Sequence, residues 1–91
     1  MTAYKLLVEG HVQGVGFRYS TQKEAKKYGI KGTVQNLPNG NVLIVAQSGN
    51  QEKLNLFVKW CYRGPANARV FRVDISEIPT SESLSSFSIE Y

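Results

Sequence analysis

Residues 30–47 read IKGTVQNLPNGNVLIVAQ, a pattern typical of a β-hairpin. In residues 30–36 polar and apolar side chains alternate, which predicts a strand. Residues 41–47 predict a second, mostly apolar strand, and the Asn39-Gly40 pair between them is a strong signal for a tight turn. The two strands are therefore expected to pair antiparallel.

The segments on either side of the hairpin predict one helix each. Residues 17–28 bring apolar and small side chains to one face at helical spacing, and Gly29 is a suitable stop signal. A second helix is expected after Ser48 or Asn50, either of which can cap it, and Gly64 and the proline after it should end it. The apolar stripe of this helix consists of Leu54, Phe57, Val58 and Cys61.

Three further strands complete the predicted order, at residues 3–9, 68–75 and 87–91. The elements then follow one another as β-α-β-β-α-β with one last strand. This order predicts an α+β fold of the ferredoxin-like split βαβ type, a sandwich of one antiparallel sheet with two helices on one face. In such a sheet the first and third strands form the central pair, so the first and second strands run parallel to each other.

The composition is that of a small globular protein with a basic surplus. The chain has 91 residues, and its 11 Lys and Arg against 7 Asp and Glu give a net charge of +4. A chain of this length forms one core without a deep cavity, so we predict a single domain over residues 1–91 with a shallow site. The basic surplus favours anionic partners, or it reflects an ordinary soluble surface.

The sequence lacks a membrane-spanning or signal segment and has almost no cysteine, and both facts limit the classes of protein to which the chain can belong. No apolar run is long enough to cross a membrane, and the first residues show no signal-peptide pattern. Cys61 is the only cysteine, which excludes an internal disulfide and a cysteine-only metal site. We therefore predict a cytoplasmic protein that does not associate with membranes.

The segment with the clearest chemical signal is residues 10–18, GHVQGVGFR, between the first strand and the first helix. Glycines let a backbone turn sharply, and consecutive N–H groups in such a loop can converge on one anion. The start of the helix adds free N–H groups and a partial positive charge. Arg18 is unfavourable for the helix dipole there unless an anion lies beside it. Residues 10–18 are thus a phosphate cradle or an ordinary glycine-rich connection.

Asn36 is the second candidate site residue. It ends the second strand, which runs parallel to the first, so the predicted topology places it near the glycine-rich loop. Its side-chain amide both donates and accepts hydrogen bonds, which suits the positioning of a water molecule. The alternative is an asparagine that only helps to form the turn that follows.

These segments resemble the acylphosphatase family. Residues 10–18 are similar to the signature loop of that family, and residues 32–36 (GTVQN) with residues 39–42 (NGNV) are similar to its second signature. Residues 64–73 and 87–89 resemble the later parts of the pattern. The likeness extends over nearly the whole chain, in order and at matching spacing.

The resemblance implies an enzyme that hydrolyses the carboxyl-phosphate bond of a small-molecule acyl phosphate, giving a carboxylate and inorganic phosphate. At the matching positions, Arg18 binds the phosphoryl group and Asn36 orients the attacking water. The implied cradle consists of the backbone N–H groups of Gly14, Val15, Gly16, Phe17 and Arg18. The resemblance also implies a cytosolic enzyme without metal or cofactor. We expect a monomer, inhibition by the inorganic phosphate product, and no binding to nucleic acid.

Three residues near Asn36 depart from the family pattern, namely Thr33, Gln35 and Leu37. Leu37 stands where the family frequently has threonine, so a hydroxyl beside Asn36 is absent.

The rival interpretation is a non-catalytic RNA- or anion-binding module on the same fold. An RNA-binding module displays aromatic side chains on its first and third strands. Here the third strand has none and the first has only Tyr4. His11, the only histidine, has no acidic partner placed by sequence to orient it, so we expect a solvated side chain. Asp74 is expected to form a surface ion pair with Arg72.

Overall fold

Five strands and two helices follow one another in the predicted order. The computed structural model describes all 91 residues. The elements are β1 (Thr2–His11), α1 (Phe17–Lys27), β2 (Lys31–Asn36), β3 (Val42–Ser48), α2 (Gln51–Arg63), β4 (Arg69–Ile78) and β5 (Phe87–Glu90). The predicted bounds of the elements differ from these by three residues or fewer. Asn50, not Ser48, caps α2, because its side chain accepts a hydrogen bond from the Lys53 N–H.

The strands form a single sheet in the order β4-β1-β3-β2-β5. The central pair is β1 and β3, as predicted, and the four strands β4, β1, β3 and β2 pair antiparallel. The prediction of a wholly antiparallel sheet is wrong for β5, which pairs parallel with β2. No helix separates β4 from β5, so the chain runs back along the sheet in the direction opposite to β4. That direction is also the direction of β2.

The core lies between the two helices and one face of the sheet. Each helix buries one stripe of side chains, Phe17, Thr21 and Ala25 from α1 and Leu54, Phe57 and Cys61 from α2. Full burial of each large apolar side chain contributes about 1.5–3 kcal/mol to stability. Burial and, to a smaller extent, the charge of Glu24 raise the pKa of the Cys61 thiol, so it stays protonated at neutral pH.

β2 ends at Asn36, where the turn of the hairpin begins. In the ladder Asn36 pairs with Val42, so residues 37–41 form the turn. The Leu37 N–H donates to the Asn41 carbonyl at 2.8 Å, and the Gly40 N–H donates to the Leu37 carbonyl at 3.1 Å. The turn is therefore closed directly beside Asn36.

The predicted ion pair on the exposed surface is confirmed. The Arg72 guanidinium donates to an Asp74 carboxylate oxygen at 2.9 Å, and Glu9 on the neighbouring strand lies 3.6 Å from it. The hydrogen bond to Asp74, and then the charges of Asp74 and Glu9, raise the pKa of Arg72 further. These side chains are exposed, so the pair contributes little to stability.

We expect Gly32→Ala to destabilise the fold strongly. Gly32 has a φ of 153°, and a Cβ atom there would collide with the backbone carbonyl of Val45 on β3. Backbone in the middle of a sheet cannot give way, so the free energy of unfolding should fall by at least about 3 kcal/mol. Urea unfolding would measure this loss.

Gly29→Ala is the matched control for that substitution. Gly29 also has a positive φ, of 67°, but no atom lies within 4 Å of a Cβ placed there. Its cost should be only about 1 kcal/mol. Equal losses of stability in the two variants would contradict the steric argument.

Candidate active site

A small cavity of about 160 Å³ opens where the β1–α1 loop faces the end of β2. Its volume corresponds to about five water molecules, which agrees with the predicted shallow site. The lining residues are Val12, Gly14, Gly16, Phe17, Arg18, Tyr19, Asn36 and Ile89. The structure therefore brings the two candidate segments, the glycine-rich loop and the end of β2, to one place.

Residues of the loop that line this cavity have backbone N–H groups that donate no hydrogen bond within the protein. Gly14 and Gly16 both have a φ of 76°, a left-handed conformation that glycine adopts without steric cost. Gly16 is the N-cap of α1, no side chain caps the helix, and its first turn contains no acidic residue. The first helical hydrogen bond runs from the Ser20 N–H to the Gly16 carbonyl. No backbone N–H in residues 14–18 donates a hydrogen bond in this loop.

Arg18 brings a positive charge to the edge of the cavity. Three ion pairs form in the structure and none of them includes Arg18. Its guanidinium carbon lies 5.0 Å from the centre of the Tyr91 ring, which is a cation–π contact. Such a contact orients the guanidinium but leaves its N–H groups able to bind an anion. Tyr91 was missed by sequence reasoning because no local pattern connects residues so far apart in the chain.

Asn36 faces the loop from the last position of β2. Its Oδ1 atom is buried, and no group of the protein donates a hydrogen bond to it. An acceptor left in this state costs about 1–3 kcal/mol, so native proteins rarely keep one without a reason. Among buried side-chain polar atoms it is the only one without a partner.

Two residues of the loop lie apart from the cavity. Val15 does not line it, and its side chain packs partly buried against the core. His11 is exposed at the end of β1, opposite Arg69, and does not line the cavity either. Of the predicted cradle residues, four line the cavity and Val15 can contribute only through its backbone.

Other features of the molecule lie outside this site. Two larger hollows, of about 330 and 400 Å³, lie along α2 and contain none of the predicted site residues. No three His, Cys, Asp or Glu side chains come together in a group that could hold a metal ion. Neither helix is both long and apolar enough to cross a membrane.

Comparison with known proteins agrees with the resemblance seen in the sequence. The sequence model of the acylphosphatase family matches residues 4–89. The chain is 44% identical over 91 residues to an acylphosphatase of Thermotoga petrophila, with 100% of this chain and 99% of that protein covered. It is 45% identical over 93 residues to an acylphosphatase of Ligilactobacillus salivarius, with both chains fully covered.

A solved structure supports the same assignment. The crystal structure of acylphosphatase from Bacillus subtilis superposes with a TM-score of 0.93 at 38% sequence identity, and 100% of each chain is covered. That similarity includes the ferredoxin-like α+β architecture. The chain therefore belongs to the acylphosphatase family, and it is a hydrolase of acyl phosphates.

Proposed function

We propose that the cavity binds the phosphoryl group of the acyl phosphate and directs one water molecule at its phosphorus. The proposal rests on one observation. Two sets of groups without hydrogen-bond partners lie on opposite sides of the cavity, whose volume is about 160 Å³. On one side are the Arg18 guanidinium and the free N–H groups of residues 14–18. On the other side is Asn36, which lines the cavity and whose buried Oδ1 has no hydrogen-bond partner.

Arg18 and the loop stabilise negative charge on the phosphoryl group. Phosphoryl transfer develops charge on three equatorial oxygens, and catalysis depends mainly on positioning and electrostatic stabilisation. The guanidinium can donate two parallel hydrogen bonds to two of these oxygens. The N–H groups of the loop and the positive end of α1 stabilise the negative charge on the remaining oxygen. Arg18 and the backbone of Gly14, Val15, Gly16 and Phe17 therefore form the cradle.

Asn36 orients the nucleophile. Asn36 lines the cavity, and its side-chain amide forms a hydrogen bond with the water, so that a lone pair of the water oxygen points at phosphorus opposite the carboxylate. A bond then forms between the water oxygen and phosphorus, and the bond from phosphorus to the carboxylate oxygen breaks. The carboxylate leaves with the electron pair and needs no proton, because it is a weak base. One proton of the water passes to a phosphoryl oxygen and the other stays on the incoming oxygen, and the product is inorganic phosphate.

The proposed site also bears on cofactor use, oligomeric state and localisation. The chemistry uses a good leaving group and a charged cradle, so we infer that it proceeds without metal or cofactor. We infer a monomer that acts as one domain over residues 1–91, since one sheet and one core include every element. Cys61 is buried without a disulfide partner, which suits the reducing cytoplasm.

One observation favours the enzyme over an RNA-binding module. Tyr4, the only aromatic residue of β1 and β3, lies on the side of the sheet that faces the helices, where its hydroxyl accepts a hydrogen bond from Gln51 of α2 at 3.3 Å. The open faces of β1 and β3 then offer no ring on which a base could stack. This supports a function without nucleic acid.

Inorganic phosphate should stabilise the protein and inhibit its hydrolysis of benzoyl phosphate competitively. At ten times its dissociation constant, a ligand of the native state adds about 1.4 kcal/mol to the free energy of unfolding. For a chain of this size the Tm should rise by about 5 °C or more. Thermal unfolding in phosphate, against potassium chloride of equal ionic strength, measures the effect.

The phosphate experiment, with a measurement of RNA binding beside it, distinguishes the enzyme from the rival RNA-binding module. A module that binds RNA would retain RNA with a steep dependence on salt and would show no shift beyond the chloride control. That result, together with absent turnover of benzoyl phosphate, would refute the proposed site.

A further inference from the structure

The side chain of Gln13 joins the two halves of the site. Gln13 lies between Val12 and Gly14, which both line the cavity, but Gln13 itself does not. Its Nε2 donates to the Leu37 carbonyl at 2.8 Å and to the Asn41 carbonyl at 2.8 Å. Both hydrogens of the amide are therefore used on the β2–β3 turn.

The two carbonyls lie at the two ends of that turn. Leu37 directly follows Asn36, and Asn41 directly precedes Val42, the residue paired with Asn36 in the ladder. The Asn41 carbonyl also accepts the Leu37 N–H that closes the turn. One amide group thus fixes the loop against both ends of the turn, next to Asn36 on β2 and next to Val42 on β3.

No other hydrogen bond connects residues 12–16 with this turn, whether from backbone or from side chains. The packing of α1 on β2 holds the elements together, but it does not fix the distance between the loop and Asn36 as directional bonds do. Both bonds end on backbone carbonyl oxygens, which every residue type provides at positions 37 and 41.

We propose that Gln13 is a positioning residue that sets the distance between the phosphate cradle and Asn36. This inference rests on the roles proposed for Arg18 and Asn36. All cradle groups belong to one loop and helix start, whereas Asn36 belongs to the sheet. If the two bonds are lost, the cradle still binds phosphate, but the water held by Asn36 is displaced relative to phosphorus. A displacement of about 1 Å costs about 100-fold in rate in well-aligned sites.

Gln13→Met tests the inference, because methionine keeps the length of the side chain and loses both donors. We expect kcat for benzoyl phosphate to fall by about 10- to 100-fold, while the dissociation constant of phosphate changes by less than about threefold. If Gln13 served folding alone, the substitution would lower the unfolding midpoint but change neither kcat nor phosphate binding of the folded enzyme. Gln13→Asn, one methylene too short to reach the turn, should show the same split if the methionine variant does not fold.

Asn39→Ala is the matched control. The Asn39 Oδ1 accepts the Asn41 N–H at 3.1 Å, so this substitution also removes a hydrogen bond from the turn, but none that reaches the loop. Its kcat should stay within about twofold of wild type. If folded Gln13→Met keeps a wild-type kcat, or loses kcat and phosphate affinity in equal proportion, the inference is wrong. Failure of the proposed function can be distinguished from failure of this inference, because the Arg18 and Asn36 variants would then keep wild-type rates.

Discussion

Arg18→Gln is expected to lower kcat/KM for benzoyl phosphate by at least about a thousandfold, the scale of arginines that stabilise phosphoryl transfer. Glutamine keeps a hydrogen-bonding group on a shorter side chain but removes the positive charge and the paired donors. Because Arg18 forms no ion pair within the protein, the substitution leaves no carboxylate without its partner. The fold should therefore stay intact, and phosphate should no longer raise the Tm above the chloride control.

Two control variants make this result specific. Arg18→Lys keeps the charge but cannot donate two parallel hydrogen bonds, so its loss should be smaller than that of glutamine yet well above tenfold. Arg63→Gln removes an arginine from the end of α2, outside the cavity, and should leave the rate unchanged. Steady-state kinetics on folded protein decides the matter. A folded Arg18→Gln enzyme with near wild-type turnover would remove Arg18 from the mechanism.

Asn36→Ala is expected to lower kcat by about 100- to 1,000-fold while the protein still binds phosphate. The cradle is built from the loop and Arg18, so the phosphate-dependent rise in Tm should persist. Stability should not fall, and it should rise by up to about 1 kcal/mol, because the substitution removes a buried acceptor without a partner. Urea unfolding and kinetics on the same preparation would show an enzyme that is inactive and no less stable.

Asn36→Asp provides the complementary control. Aspartate has nearly the same shape, but its negative charge would repel the phosphoryl group, so both kcat and phosphate binding should fall. If Asn36→Ala instead weakened phosphate binding as much as it lowered kcat, Asn36 would be a phosphate ligand and not a residue that orients water.

The hairpin and the helices could be predicted because local patterns specify them. Asn39-Gly40 marks the turn, and the helical spacing of buried side chains marks both helices. The predicted topology also places Asn36 beside the glycine-rich loop, where the structure has it. The resemblance to acylphosphatases added the roles of Arg18 and Asn36, which no local pattern specifies.

What could not be predicted depends on contacts between distant parts of the chain. The direction of β5 is set by the path of the preceding loop, and a strand of four residues has no internal signal for it. The contact of Tyr91 with Arg18 and the bonds of Gln13 to the turn exist only in the folded chain. The buried Asn36 Oδ1 is likewise a property of packing, because an asparagine before a turn is usually solvated.

The cradle consists largely of main-chain groups, and this has a consequence for how the enzyme can change. A backbone N–H is present whatever the side chain, so most substitutions at the half-buried Val15 leave the donor itself in place, whereas Phe17 is fixed by its burial in the core. Only proline deletes a donor, and only Gly14 and Gly16 are constrained by a left-handed backbone. The outer surface of the loop can therefore diversify toward new acyl groups while the phosphate chemistry is inherited unchanged.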